Sequence, residues 1–333
     1  MNQPADEVVT PSAPLSRREA LTMFAAAGVG ALASARPAAA RQQDAALSRV
    51  LRFAHLTDSH IQPERGAAEG VAACLRHVMA HTDRPQLVVS GGDLIMDGFE
   101  QTRERTALQW DLFTRVYKDE CAVPVEHTIG NHDVWGWNQK KSKTTSDEPQ
   151  WGKRWVMDAL GLAAPYRASD HGSWKLVILD SIFPHRGDGY LGKLDDEQFA
   201  WLDAQLAAAA AEAKHVAIVS HIPIISVTVF DLDSSVEDDE WRMSGGVMHA
   251  DAKKLLELFR KHRCVRLAVS GHIHKLDRCE FEGVTYVCDG AVSGAWWKGP
   301  GKRCDEGYGV FDLFSDGSFE HTYHTYGWKP REG

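Results

Sequence analysis

The sequence has no excess of positive charge. Its 37 Lys and Arg residues stand against 46 Asp and Glu residues, so the formal net charge is −9. A protein that binds nucleic acid through the phosphate backbone needs a broad positive surface, so this balance disfavours a nucleic-acid partner. The hydrophobic content of 44% and charged content of 25% are those of an ordinary globular protein and exclude a chain that is disordered throughout.

The chain also has few long apolar runs. After the first 40 residues no run is long enough to cross a bilayer, and the earlier run 21–35 falls short of the ~20 residues that a span needs. Arg17 and Arg18 precede that run, and Ala38-Ala39-Ala40 follows it. Segment 1–40 therefore resembles a twin-arginine export signal. We expect cleavage after Ala40 and a periplasmic or other extracytoplasmic location; an uncleaved anchor is the alternative that the short run disfavours.

Cys-x-x-Cys pairs are absent as well, which disfavours a zinc knuckle. An even number of cysteines in an exported protein permits disulfides, and buried thiols that pack as small apolar groups are the alternative. Both interpretations remain open for the six residues Cys74, Cys121, Cys264, Cys279, Cys288 and Cys304.

What the sequence does contain is a regular alternation of short β-rich runs and helical stretches, which is typical of an α/β domain. We expect one domain over 41–333, with a core at 51–290 and a Trp-containing loop and strands at 291–333. The predicted strands are 52–56, 87–90, 125–129, 174–179, 215–220 and 265–270, with a hairpin at 278–288. The predicted helices are 67–81, 102–117, 195–213 and 250–262, and long loops are predicted at 135–149, 226–247 and 290–305.

Five of these strands end in side chains that bind metals. Because the carboxyl ends of strands in an open α/β sheet meet at one edge, we expect the five ends to form one pocket. Each short motif is common by itself, but five independent strand ends carrying such side chains argue against coincidence. Seven candidate ligands in one pocket imply more than one metal. The side chains at these ends are Asp58, His60, Asp93, Asn131, His132, Asp133, His221, His272 and His274.

The order of these blocks resembles the calcineurin-like metallophosphoesterase family. The blocks are Asp58-x-His60, Gly92-Asp93, Gly130-Asn131-His132-Asp133, His221 and Gly271-His272-x-His274, spread over 53–274. The resemblance implies a four-layer α/β/β/α sandwich of two mixed β-sheets flanked by helices.

The resemblance also implies a role for each residue. Asp58, His60 and His274 would bind one metal, Asn131, His221 and His272 would bind a second, and Asp93 would bridge the two. His132 would be the general acid, oriented by Asp133. The implied reaction is hydrolysis of a small phosphodiester or monoester by in-line attack of a metal-bridging hydroxide. A ligand set of nitrogen and oxygen without thiolate suits Fe, Mn, Zn or Co.

Two further features bear on the branch and on substrate contacts. Met96 stands where the purple acid phosphatase branch has a Tyr ligand, so that branch is disfavoured, and the blocks look like those of class III cyclic-nucleotide phosphodiesterases. Trp296-Trp297 either stack a substrate group over the metals or close the sheet as a buried plug, and both interpretations stay open. Trp135 and Trp137 are better placed near the mouth of the site, and packing in the core is the equally common alternative for indole rings in such a position.

Two other functions compete with a phosphoesterase. A non-catalytic metal-binding interaction module is disfavoured because His132 and every expected ligand are present. A nuclease of the same superfamily is disfavoured by the net charge of −9.

Overall fold

The computed structural model describes residues 47–186, 188–232, 235–237, 239–301 and 304–330. The predicted export signal and its cleavage site after Ala40 lie outside the described residues. Within the described part of the chain, no helix is both long and apolar enough to cross a membrane.

The first mixed sheet contains β1 (Arg49–Leu56), β2 (Leu87–Ser90), β3 (Val125–His127), β14 (Gly307–Phe314) and β15 (Phe319–Thr325). Its strand order is β15-β14-β1-β2-β3. Strands β1, β2 and β3 run parallel, whereas β14 pairs antiparallel with both β1 and β15. Strand β14, which lies late in the chain, therefore pairs with β1, the first strand of the described residues.

The second mixed sheet contains β4 (Arg167–His171), β5 (Trp174–Ile178), β8 (His215–Val219), β11 (Val265–Ser270), β12 (Asp277–Phe281) and β13 (Val284–Cys288). Its order is β12-β13-β11-β8-β5-β4, with parallel pairing from β13 to β5 and antiparallel strands at both edges. Two small hairpins are β6 (Ile182–His185) with β7 (Gly189–Gly192), and β9 (Ser235–Glu237) with β10 (Glu240–Arg242).

The helices connect these strands on the outside of the sheets. Three of them begin at a side-chain cap: Thr102 accepts a hydrogen bond from the Arg105 amide, Asn138 accepts one from the Lys141 amide, and Asp195 accepts one from the Gln198 amide. The helices are α1 (Ala67–Met79), α2 (Arg103–Glu120), α3 (Gln139–Ser142), α4 (Arg154–Leu160), α5 (Asp196–Ala211) and α6 (Ala252–His262), with a 3₁₀ turn at Thr228–Asp231.

Alternating side chains along the strands build three apolar layers. Phe53 of β1 and Leu176 of β5 both point into a core that lies between the two sheets. Leu56 faces the opposite way, into a core with α1, α2 and α4, and Val177 faces a core with α5 and α6. Since a strand exposes successive side chains on opposite faces, each sheet is covered on both sides. The predicted four-layer α/β/β/α sandwich is confirmed.

Several elements were not predicted, for physical reasons that differ. Strand β4 has the polar sequence Arg-Ala-Ser-Asp-His at a sheet edge, so it lacks the apolar pattern of a strand. The segment 226–247 was predicted as a loop but holds the 3₁₀ turn and the β9–β10 hairpin, and the loop 135–149 holds α3. All six cysteines are free thiols in the structure, which favours the interpretation without disulfides.

Candidate metal centre

The strand ends bring the predicted ligands together at one edge of the molecule. Three sets of side chains each place their ligand atoms within 4.8 Å of one another. The sets share members, because His60 belongs to two of them and Asp93 to two. They are Asp58, His60 and His274; His60, Asp93 and His132; and Asp93, His221 and His272.

The Asp93 carboxylate occupies the centre of this arrangement. Its Oδ1 atom accepts a hydrogen bond of 2.8 Å from the His132 amide. Its Oδ2 atom lies 3.7 Å from His60 Nε2 and 3.3 Å from His221 Nε2. One oxygen is thus fixed by the backbone, while the other faces a nitrogen ligand on each side.

On one side of Asp93 lies the group of Asp58, His60 and His274. The His274 Nε2 atom lies 3.2 Å from Asp58 Oδ1 and 3.0 Å from His60 Nε2. Asp58 Oδ2 already accepts hydrogen bonds from Thr57 Oγ1 and the His272 amide. Its Oδ1 is buried and has no hydrogen-bond partner. A cation would satisfy this orphaned carboxylate oxygen.

On the other side lie His221, Asn131 and His272, and their tautomers are set by backbone carbonyls. His221 Nδ1 donates to the Gly91 carbonyl at 2.8 Å, and its Nε2 atom lies 3.3 Å from Asn131 Oδ1. His272 Nε2 donates to the Gly246 carbonyl at 2.8 Å. The buried His272 Nδ1 is left without a partner. Metal-binding imidazoles are commonly fixed in this way through their second nitrogen, so these residues also fit a metal.

Five of the seven ligand candidates have left-handed backbone conformations. Such a φ is uncommon for residues other than glycine and costs energy. Main-chain hydrogen bonds hold it in place, for example from the Asp58 amide to the Gly92 carbonyl at 3.0 Å and from the His60 amide to the Asp93 carbonyl at 2.9 Å. The five are Asp58 (φ 56°), His60 (41°), Asp93 (51°), His272 (72°) and His274 (51°).

The ionisation states of four of the ligand candidates suit cation binding. Burial lowers the pKa of His60 well below its usual value, and burial together with His221 lowers the pKa of His272 to about 4. Burial acts to raise the pKa of Asp58 and Asp93, but neighbouring imidazoles outweigh it and hold both below the usual range. Asp58 and Asp93 are thus ionised, and His60 and His272 are neutral, which are the forms that coordinate metals. Burial acts to lower the pKa of His221, but the charge of Asp93 outweighs it and raises the pKa to about 9, so this imidazole would release a proton when it binds a cation.

Asp133 does not contact the His132 imidazole as the family resemblance implies. Its Oδ1 accepts hydrogen bonds from the Leu94 and Ile95 amides, and its Oδ2 accepts one from the Gly130 amide. Both oxygens of Asp133 thus bind backbone amides, and orientation of His132 by Asp133 stays a prediction that would act through the loop rather than through a hydrogen bond to the imidazole. Asp133 instead joins the loop after Asp93 to the loop that carries His132.

The carboxylate beside the His132 imidazole is Asp97, which the sequence analysis did not single out. Asp97 Oδ1 lies 3.5 Å from His132 Nδ1. Burial acts to lower the pKa of His132, but the charges of Asp93 and Asp97 outweigh it and raise the pKa to about 9. The only sequence signal for Asp97 is its position four residues after Asp93 in the same loop.

A cavity of about 460 Å³ opens beside this centre. Its lining includes Asn131 and His132 from the site, together with Phe99 and Tyr190. That volume is in the range of small-molecule pockets. A small substrate can therefore reach the ligand groups from this side.

The paired tryptophans have separate positions. Trp297 is buried, which matches the plug interpretation, whereas the half-buried Trp296 ring lies against His60 and His274 at centroid distances of 4.0 and 4.8 Å. Trp135 and Trp137 pack in the core between the first sheet and its helices, which matches the packing alternative.

Histidines outside the strand-end blocks make structural contacts. His249, the least obvious of them, is buried and hydrogen-bonds to Ser220 Oγ at 3.0 Å and to Asp251 Oδ1 at 2.9 Å. Both of its ring nitrogens are thus engaged away from the metal ligands.

Comparison with known proteins gives a family match. The family model described as calcineurin-like phosphoesterase matches residues 51–276. The chain belongs to this family. Its members are metal-dependent phosphoesterases, and the site described above carries the five blocks through which the sequence resembles them.

Individual relatives are more distant. The chain is 25% identical to a Synechococcus protein named "probable cyclic nucleotide phosphodiesterase" over 230 residues. This alignment covers 68% of this chain and 74% of the relative. A dimetal phosphatase from Danio rerio has the same fold, with a TM-score of 0.57 and 17% identity over 84% of this chain and all of the other. GAP50, the anchor in the inner membrane complex of Plasmodium, gives a TM-score of 0.52 and 18% identity, covering 84% of this chain and 86% of its own.

The positions of Asp97 and Asp133 predict different effects for two substitutions. Asp133→Asn replaces one acceptor of backbone hydrogen bonds by a donor, so we expect metal content and thermal stability to fall together.

Asp97→Asn keeps an acceptor for the local turn but removes the charge beside His132, so we expect metal content to stay near wild type while turnover falls about tenfold or more. Metal analysis and melting curves of both variants, measured with turnover, test this. A normal metal content in Asp133→Asn would contradict the assignment.

Proposed function

We propose that this chain is an exported phosphodiesterase with two metal ions. The observation that carries the proposal is the Asp93 carboxylate, whose Oδ2 atom faces His60 on one side and His221 on the other. A carboxylate oxygen shared between two ligand groups is the arrangement expected of a bridge between two cations. The Synechococcus relative, named as a probable cyclic nucleotide phosphodiesterase, supports a diester as the substrate.

The ligand assignment follows from the contacts on each side of Asp93. Asp58, His60 and His274 would hold the first ion, and Asn131, His221 and His272 would hold the second. When bound, two divalent ions stabilise the charge on the phosphoryl oxygens and lower the pKa of water. The nitrogen and oxygen ligands suit Fe, Mn, Zn or Co.

In this proposal His132 supplies the proton that the leaving oxygen needs. Its side chain is 26% exposed and lines the cavity, so it can reach a bound ester. Its backbone amide donates a hydrogen bond to Asp93, which fixes the main chain of His132 relative to the ligands. Asp97 beside Nδ1 favours the tautomer and charge state that a proton donor requires.

The first test is hydrolysis of two chromogenic esters by metal-stripped protein. Mn, Fe, Zn, Co or Mg is added back singly, and bis-p-nitrophenyl phosphate is compared with p-nitrophenyl phosphate. We expect a transition metal to restore activity and the diester to be hydrolysed faster. A chain that binds two ions per molecule without turnover would favour the non-catalytic interaction module. Faster hydrolysis of the monoester would make the protein a phosphomonoesterase.

Two variants separate metal binding from proton donation. Asp93→Ala removes the shared carboxylate, so we expect both ions to be lost. His132→Ala leaves all proposed ligands in place, so we expect two ions and a loss of turnover of about 10²–10⁴-fold. Metal analysis of the purified variants decides, and equal metal loss in both would contradict these roles.

Export is the part of the proposal that depends on residues 1–40. Arg17 and Arg18 precede a short apolar run and a small-residue cleavage site, and twin-arginine signals of this type direct export. Replacing both arginines by lysine in the full chain should leave the protein uncleaved and inside the cell. Cell fractionation and the N-terminal sequence of the wild-type protein measure this. Normal export of the double variant would contradict a twin-arginine route.

A further inference from the structure

The loop Thr57–His60, which carries the ligand candidates Asp58 and His60, is held by hydrogen bonds on two sides. On one side its amides donate to the loop that carries Asp93: Asp58 N bonds the Gly92 carbonyl, and His60 N bonds the Asp93 carbonyl. On the other side all four of its carbonyls accept hydrogen bonds from residues 292–297, which lie beyond the part of the chain that the family model matches.

Two of these four carbonyls are bound by a single side chain. The Val292 amide bonds the Thr57 carbonyl at 2.9 Å, and the Ser293 amide bonds the Asp58 carbonyl at 3.2 Å. The Trp297 indole Nε1 donates to both of the others, Ser59 at 3.1 Å and His60 at 3.0 Å. The indole is therefore the only side-chain donor among these contacts of the described loop.

The indole is itself rigidly held. Trp297 is 1% exposed and packs against Gly70 of α1, where a Cβ atom would overlap its ring. Its ring also meets Trp328 edge-on, with centroids 5.7 Å apart. A buried donor that cannot move fixes the positions of the carbonyls it binds.

The bound carbonyls belong to strained backbone. Asp58 and His60 have φ values of 56° and 41°, which side chains other than glycine rarely adopt. Without the indole N–H, the Ser59 and His60 carbonyls would lose their partner in a buried environment, which is costly. The loop would then relax towards ordinary backbone conformations and move the Asp58 and His60 side chains away from His274.

We propose that Trp297 is a positioning residue that sets the affinity of the first metal ion through the Ser59 and His60 carbonyls. The inference rests on the proposed function, because it requires that Asp58, His60 and His274 bind an ion. Trp297 is buried and belongs to none of the ligand sets, so its effect is indirect. Groups that hold metal ligands from behind typically change metal affinity by about 10–100-fold when they are removed.

The test compares Trp297→Phe with a matched control. Trp174→Phe removes another buried indole that donates to a backbone carbonyl, that of Phe314, between the two sheets and outside the ligand sets. Metal titration by calorimetry is combined with the rise in melting temperature that saturating Mn²⁺ produces. We expect Trp297→Phe to lower the affinity for one of the two ions about 10–100-fold. The ion affected should be the one that His274→Ala also weakens. We expect Trp174→Phe to lower the melting temperature of the apoprotein and to keep the affinity for both ions.

A second variant guards against misfolding of Trp297→Phe. Replacing Trp297 by its benzothiophene analogue keeps the ring size and removes only the N–H donor. Loss of affinity in this variant supports the inference, and two ions bound with wild-type affinity overturn it and leave Trp297 as a packing residue. If the wild-type chain binds only one ion, the two-metal proposal fails. The inference is then judged by whether the affinity for that ion falls in the analogue variant.

Discussion

The buried Asp133 carboxylate links two of the loops that carry ligand candidates, although it has no direct part in the proposed chemistry. Asp133 accepts hydrogen bonds from the amides of Leu94, Ile95 and Gly130, which belong to two different strand-end loops. One of these loops carries Asp93 and the other carries Asn131 and His132. The pKa of Asp133 is raised to about 7 by burial and by the charge of Asp93, so its ionised form depends on these amide donors. These bonds help to set the distance between Asp93 and the loop that carries Asn131 and His132.

The backbone of the ligand loops is strained, and this strained conformation positions the ligand side chains. Asp58, His60, Asp93, His272 and His274 all have positive φ values. In each case a strand has just ended, and the reversed conformation turns the next side chains towards the shared pocket. Residual strain of this kind persists only where surrounding contacts enforce it. Here the contacts are main-chain hydrogen bonds between neighbouring loops, and bound cations would add to them by satisfying Asp58 Oδ1 and His272 Nδ1.

The sequence predicted the parts of the fold whose signal is local. Strands β2 and β11 were predicted at their observed bounds because each is a short apolar run followed at once by a glycine. The polar edge strand β4 gives no such signal, and its pairing with β5 is set by tertiary structure. The convergence of the ligand blocks was predictable from the topology rule for strand ends.

Other features of the site could not be predicted because they depend on contacts distant in sequence. Asp133 was expected beside the His132 imidazole, but its partners are backbone amides that no side-chain pattern reveals. Asp97 has no motif of its own. The separate positions of Trp296 and Trp297 follow from the reversed backbone at both residues, with φ values of 59° and 65°.

The C-terminal part of the chain completes a site whose other residues come much earlier. Strand β14 lies between β15 and β1, so β1 remains an open edge until β14 is present. The carbonyls of Thr57–His60 likewise receive hydrogen bonds only from residues 292–297 among the described residues. The part of the chain that ends at β13 already contains every candidate ligand. It lacks residues 292–297, whose hydrogen bonds hold the loop that carries Asp58 and His60. The backbone around Asp58 and His60 therefore reaches its full set of hydrogen bonds only when residues 292–297 have joined the fold.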